Sequence, residues 1–532
     1  MSSFPSSTLQ PILCAGQWRA ATDATRGFRA ADPTTAESIG PEFPYSGAAD
    51  VEAMLDAATQ AASVLAACEP ARIAAFLDAY AAALDAARDT LVASAHAETA
   101  LPAAPRLAEV ELPRTSDQLR QAARAVRDYS WTQPVIDTRS GLRAHFAPLH
   151  KPVLVFGPNN FPFAFNAAAG SDFASAIAAR NPVIAAAHPA HPGTSRLLAE
   201  LAHQAVLACG LPAATLQLFY ALDPALGLRL AGDRRLGAIG FTGSRQAGMA
   251  LKAAADQAGV PIHAEMSSVN PVFLLAGALR ERGAGLAQEF FASCTLGSGQ
   301  FCTSPGLVMV PADAAGDAFV SAAAARFDGA AAMLLLAAGV ERHLTAAVAA
   351  LRSAGARLIA GRAQAEAPGW RYAPSLLEVD AAQFLAQPAA LQQEAFGPVA
   401  LLVRYHDTEQ AVAIGHACEG SLTGSLFSAA DGSDDADCAR VAAALRPRVG
   451  RLCNDKWPTG VAVSAAMQHG GPYPSTSHAG FSAVGMPGAI RRFAQWQCHD
   501  NVREDRLPSE LRDANPAALQ RLVDGRWTDR SL

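Results

Sequence analysis

Val153-Leu154-Val155-Phe156-Gly157 is a short, unbroken apolar run; after a turn come a helical segment from Ala167 to Ala179 and a second run, Val183-Ile184-Ala185-Ala186-Ala187. A run without polar alternation is buried on both faces, as a parallel strand covered by helices is. Ser195 to Ala208 reads as the next helix and Gly237-Ala238-Ile239-Gly240-Phe241 as the next strand. A helix follows Ser244, and Val272-Phe273-Leu274-Leu275 adds a further strand. Strand alternating with helix is the pattern of a doubly wound α/β sheet.

On the N-terminal side, apolar residues recur at helical spacing from Ala48 to about Arg127, through Val51, Leu55 and Ala58 and again through Ile73, Leu77, Tyr80 and Leu84. Trp131 to Pro152 reads as extended chain, an arm leaving the domain. From Arg280 to about Gly470 a second α/β region repeats the alternation. The remainder, from Gly471, is rich in Pro, Gly and Ser and then charged, and is expected to wrap the surface as loop, strand and tail. The chain thus divides at 1–130, 131–152, 153–275, 276–470 and 471–532.

At 532 residues, 51% hydrophobic and 17% charged, the composition is that of a globular protein with more than one core. A net charge of -6 argues against nucleic-acid binding, which needs a basic surface. No apolar run reaches the roughly eighteen residues that span a bilayer, so no membrane partner is expected. The start, MSSFPSSTLQPILCAGQW, lacks a basic region followed by an apolar one, so no secretory signal is expected. Nine cysteines without CxxC pairs suit reduced thiols in a cytoplasm, and their spacing suggests no metal site.

The chemistry concentrates in a few motifs. Gly297-Ser298-Gly299-Gln300-Phe301-Cys302 delivers a cysteine on a flexible backbone, as a nucleophile requires; a lone cysteine is more often a small apolar core residue. Phe241-Thr242-Gly243-Ser244 ends a strand and opens a helix, where Ser244 can cap and the free N–H groups attract an anion such as a pyrophosphate. An ordinary βα turn explains it equally well, and no GxGxxG fingerprint follows any expected strand. Asn159-Asn160-Phe161-Pro162 offers an amide for a developing oxyanion, or merely a turn before proline. Glu265, in His263-Ala264-Glu265-Met266-Ser267-Ser268, is placed for a half-buried general base or for a structural ion pair. Glu394 opens Glu394-Ala395-Phe396-Gly397-Pro398, where a solvated loop carboxylate is the ordinary reading.

Taken in order, NNFP, FTGS, HAEM, GSGQFC and EAFGP resemble the aldehyde dehydrogenase superfamily from roughly Gly16 to Pro508. AHPAHPGTS, AEMSSVNPVFLL and PTGVAVSAAMQHGGPYPST resemble the branch with α-ketoglutaric semialdehyde dehydrogenases and NADP-dependent long-chain aldehyde dehydrogenases. The resemblance implies an NAD- or NADP-dependent oxidoreductase that turns an aldehyde into a carboxylic acid through a cysteine thiohemiacetal and a thioester. It implies Cys302 as nucleophile, Glu265 as base and Asn160 as oxyanion donor. Glu394, Phe396, Gly243, Ser244 and His188 would hold the cofactor. Its fold would be a nucleotide-binding α/β domain, a catalytic α/β domain and an oligomerisation strand pair, drawn here from 131–152 and from near 480–500, in a homodimer or homotetramer.

The chain departs from that pattern at one telling place. Ala186 stands where the branch carries a lysine on the adenosine ribose, and Pro189 where many NAD-specific relatives carry a glutamate. Losing a charged hydrogen bond costs about 1.5–3 kcal/mol, or one to two powers of ten in affinity. Phe173 and Arg180 replace small residues and are expected to reshape the surface beside the cleft. A short acid semialdehyde is the expected substrate, with Arg114 facing its distal carboxylate; capping a helix or pairing with Glu111 are competing roles for that arginine. Phe163, Phe301 and Trp457 would line the entry. The alternatives are a long-chain or broad-range aldehyde dehydrogenase, a cofactor-impaired binding protein, and an esterase using Cys302 and Glu265.

Overall fold

The computed structural model describes residues 9–24, 26–361 and 367–532. Its first sheet runs Ile262–Glu265, Ala238–Thr242, Val153–Phe156, Val183–Ala186, Leu216–Phe219, Ile12–Cys14, Gln17–Arg19. The first five strands are parallel and the two N-terminal ones antiparallel. Val153, Leu154, Val183 and Ile184 are fully buried, since helices cover the sheet. The helices Ala48–Ala66, Pro70–Ala86 and Leu112–Arg127 pack over this core.

The second sheet runs Arg357–Ala360, Ser375–Asp380, Val399–Tyr405, Leu307–Pro311, Pro271–Leu274, Ser421–Phe427, Val449–Asn454, all parallel except the first. Pro271–Leu274 therefore stands inside this sheet, so the division between the α/β units falls before it and not at 275. A third sheet pairs Ala494–Asp500 with Leu142–Pro148, then Val135–Asp137, Arg521–Val523 and Arg526–Thr528.

Other local differences have physical causes. The helix expected from Ala167 begins at Ser171, because Asn166 closes a turn first: its Oδ1 accepts from the Ala168 N–H and its carbonyl from Gly170. The next helix starts at Pro192 rather than Ser195, with proline in the first turn where its missing N–H costs nothing. Phe173 and Arg180 do not reshape the cleft. Phe173 is buried edge-on to Tyr80, and Arg180 donates to the Ala66 carbonyl behind the sheet.

Candidate active site

The site lies where the first sheet ends and the second begins. Asn160, Ser244, Glu265 and His188 follow the C-terminal ends of strands in the first sheet, the place where open α/β sheets receive ligands. Asn270, Cys302 and Glu394 precede strands of the second. Residues 266–270 carry the chain directly from the edge strand Ile262–Glu265 of the first sheet to the interior strand Pro271–Leu274 of the second. The segment around Thr476 is laced to the strand Ile262–Glu265: Glu265 bridges Thr476, Met266 N–H donates to the Ser475 carbonyl and Ser477 N–H to that of Ala264.

The Cys302 loop is held by close backbone contacts. Gly299 has φ +69°, and a Cβ there would collide with the Gly397 carbonyl, so the two glycine motifs fit only against each other. Gln300 is buried and pins the loop, accepting from Leu336 N–H at 2.9 Å and donating to Leu334 O at 3.2 Å. Asn270 Nδ2 donates to the carbonyls of both Cys302 and Ser304 at 2.8 Å. Asn160 Nδ2 donates to Gln300 O at 2.8 Å, which leaves its second amide hydrogen for another acceptor.

Cys302, Glu265 and His469 meet at one point. His469 Nε2 lies 3.6 Å from Cys302 Sγ and 3.2 Å from Glu265 Oε1, and the imidazole is almost wholly buried. Burial first, then the negative charges of Glu265 and Glu394, pushes the Cys302 thiol well above the ordinary cysteine range. Burial also disfavours the ionised form of Glu265. His469 and the Cys302 hydrogen bond outweigh that effect, and the carboxyl is held below its ordinary value. The resting pair is therefore a protonated thiol beside an ionised carboxylate. Sequence reasoning missed His469 as a site residue: it lies within the phrase PTGVAVSAAMQHGGPYPST, but no chemical spacing links it to Cys302 or Glu265. Gly450 against the Gly470 carbonyl and Gly471 against that of Ser421 leave no room for a Cβ, and these contacts fix its loop.

The cleft beside this centre has the features that a dinucleotide needs. Ser244 caps the helix Arg245–Ala258, accepting from the Ala247 N–H at 3.3 Å, so free N–H groups and the positive helix end face the strand ends. Gly248 packs on Met266 with no space for a side chain. Glu394 is half-buried and accepts from the Ser268 N–H at 3.1 Å; it lines a small cavity together with Phe396. His188 is held neutral by burial, with a pKa lowered to about 3, and its Nδ1 accepts from Ala190 N–H. Ala186 is buried and brings no polar atom to the cleft.

Arg114 projects from the helix Leu112–Arg127 into the same centre. It feels the charges of Glu111, Cys302 and Glu265. Its guanidinium stacks 5.2 Å from the Phe165 ring, and its one hydrogen bond is a long 3.4 Å contact to the Val461 carbonyl. Nε and Nη2 are buried without a partner. Glu111 pairs instead with Arg106, and its Oε1 accepts from the N–H groups of Phe163 and Ala164. The aromatic wall differs from the expected one. Phe163 is fully buried in the first core; Trp457 packs between Phe290 and Phe427 and donates to Glu289. Phe301 does border the site, edge-on to Phe161, with Phe165, Val461 and Met467 in the same apolar cluster.

A cysteine, a carboxylate and an amide thus stand together where the two α/β units meet, beside a helix N-terminus that can receive an anion, and likeness to known proteins gives the class: an oxidoreductase acting on aldehydes. The chain belongs to the aldehyde dehydrogenase family, whose sequence model matches residues 18–497. It is 41% identical over 517 residues to alpha-ketoglutaric semialdehyde dehydrogenase 2 of Azospirillum brasilense, covering 94% of this chain and 96% of that one. It is 35% identical to alpha-ketoglutaric semialdehyde dehydrogenase of Acinetobacter baylyi, over 85% of this chain and 86% of the relative. Among solved structures, aldehyde dehydrogenase C of Pseudomonas syringae, a variant with NAD+ and octanal, superposes with a TM-score of 0.78 at 19% identity, covering 94% of this chain and 98% of that one.

Proposed function

We propose that this enzyme oxidises a short acid semialdehyde, α-ketoglutaric semialdehyde first among them, with NAD or NADP as hydride acceptor. Two relatives bearing that substrate in their names support the choice. The observation that carries it is Arg114, a buried cation without an anionic partner beside the cysteine. A substrate carboxylate supplies the missing charge, and a bidentate pair of this kind also fixes the direction in which the aldehyde points.

The reaction follows from the resting charges. Glu265, ionised and within 4.8 Å of the thiol, takes the Sγ proton as sulfur attacks the aldehyde carbon, with His469 beside both atoms to hold them in line. The free hydrogen of the Asn160 amide and the Cys302 backbone N–H hold the oxyanion. The nicotinamide cofactor supplies the acceptor for the hydride leaving that carbon. A thioester remains on Cys302. The proton taken from sulfur passes to solvent, and Glu265, ionised again, removes a proton from water; the hydroxide adds to the thioester carbonyl, the C–S bond breaks to release the acid, and the Cys302 thiolate takes up a proton. In this reading Glu394, Phe396, Gly243, Ser244 and His188 would hold the cofactor, with Glu394 and Phe396 toward its nicotinamide end. With neither a lysine at Ala186 nor a carboxylate at Pro189, either cofactor is accepted.

The third sheet, with Ala494–Asp500 at its edge and Trp496 half exposed, is the proposed interface of a homo-oligomer; a sedimentation mass of one chain would rule it out. The test of the activity is absorbance at the reduced-nicotinamide band with the semialdehyde and either cofactor. Reduction is expected with both. Ester cleavage without reduction would establish the esterase reading instead, and neither activity the binding-protein reading.

A further inference from the structure

Glu265, Cys302 and His469 form more than a proton-handling group. One carboxylate oxygen, the sulfur and one imidazole nitrogen all lie within 4.8 Å of one another, with His469 Nε2 3.2 Å from Glu265 Oε1 and 3.6 Å from Sγ. Around a tetrahedral zinc, with bonds of about 2.0–2.3 Å, neighbouring donor atoms stand about 3.3–3.8 Å apart. These three side chains therefore need little movement to close on one ion. Thiolate, imidazole and carboxylate are also the donor types that select zinc over calcium or magnesium. A second observation points the same way: Glu265 Oε2 is buried and has no hydrogen-bond partner. The three residues come from three separate segments, which is why the spacing of cysteines and histidines along the chain shows no metal pattern.

We propose that Cys302, His469 and Glu265 form a reversible inhibitory site for a thiophilic divalent cation, zinc above all. Binding replaces the proton on Cys302 with the metal: an S–Zn bond forms, the S–H bond breaks, and the proton leaves to solvent. His469 gives its Nε2 lone pair, any proton carried on that nitrogen leaving to solvent, Glu265 gives one oxygen, and water fills the open fourth position. Nothing is oxidised or reduced. The ion takes the nucleophile and the base together, so the metal-bound enzyme neither turns over nor reacts with thiol reagents. Removing the metal restores both.

The test uses full-length, chelator-treated enzyme and Co²⁺ as a visible probe, so its readout does not depend on any substrate. Stoichiometric Co²⁺ should give a near-ultraviolet thiolate-to-cobalt charge-transfer band that Zn²⁺ abolishes. Zn²⁺ should block alkylation of Cys302 by iodoacetamide until EDTA is added. Cys302→Ser should lose the band, and His469→Gln should weaken Co²⁺ affinity by about tenfold or more. Alkylation of metal-free His469→Gln checks that its thiol is still in place. A band that survives in Cys302→Ser, or an affinity unchanged in a folded, alkylatable His469→Gln, would overturn the proposal.

Discussion

At the scale of single residues the chemistry rests on one proton shared between unequal partners. Cys302 is hard to ionise because it is buried and faces two carboxylates, of which Glu265 acts more strongly than Glu394. The thiolate fraction, and with it the rate of acylation, therefore rises with pH into the alkaline range. Glu265→Gln removes one of the charges that hold the proton on sulfur, so the alkaline limb of the acylation burst should move to lower pH. The same substitution removes the base for both steps: acylation then proceeds only through the thiolate already ionised, so reduced cofactor should appear once per active site in a slower burst and then stall. Stopped-flow bursts recorded across pH for both proteins read the two effects together. Steady turnover at the wild-type rate, or a limb moved upward, would take Glu265 out of this role.

At the scale of elements, the site is a set of loops held by glycines at strand ends. Gly299 and Gly397 interlock the nucleophile loop with the Glu394 loop. Gly299→Ala incurs the left-handed backbone strain of about 1–2 kcal/mol and also forces the two loops apart. Gly210, with φ +64° and open space for 4 Å around the place a Cβ would take, isolates the first cost. Thermal melts should show a larger destabilisation of Gly299→Ala than of Gly210→Ala, and kcat/KM should fall about tenfold or more only in the former. Equal activity in the two would mean that the interlock does not position the cysteine.

The elements also show what the sequence could and could not disclose. Buried runs such as Val153–Phe156 and Val183–Ala186 were legible because only a covered parallel strand tolerates them. The short N-terminal strands Ile12–Cys14 and Gln17–Arg19 were not, since three residues have too little pattern to read. Pro271–Leu274 was readable as a strand but not as a member of the second sheet, because sheet membership depends on partners far along the chain. In the site, glycines and an FTGS turn announce backbone requirements and so leave a trace in sequence. His469 and Asn270 lie inside phrases that carry the family resemblance, yet they and the Arg106–Glu111 pair act through contacts across the fold that no local pattern discloses.

At the scale of the whole molecule, two α/β units bring strand ends and loops together at one site. The first contributes strand C-terminal ends with a helix N-terminus that can receive an anion; the second contributes the loops that precede its strands, with the thiol among them. The outer wall of the centre comes from the helical layer through Arg114, backed by Phe161 and Phe165. That division of labour makes substrate choice separable from the chemistry. An apolar channel would add about 0.8 kcal/mol for each buried methylene, whereas a cation opposite a carboxylate rejects uncharged analogues of any length.

The measurement that tests this most directly is kcat/KM for α-ketoglutaric semialdehyde against a series of unbranched aldehydes of rising length, in the wild type and in Arg114→Ala. The semialdehyde should exceed every member of the series in the wild type, and Arg114→Ala should erase that preference while leaving the uncharged aldehydes nearly unaffected. A steady rise with chain length that passes the semialdehyde, or a preference that survives the loss of Arg114, would contradict the account.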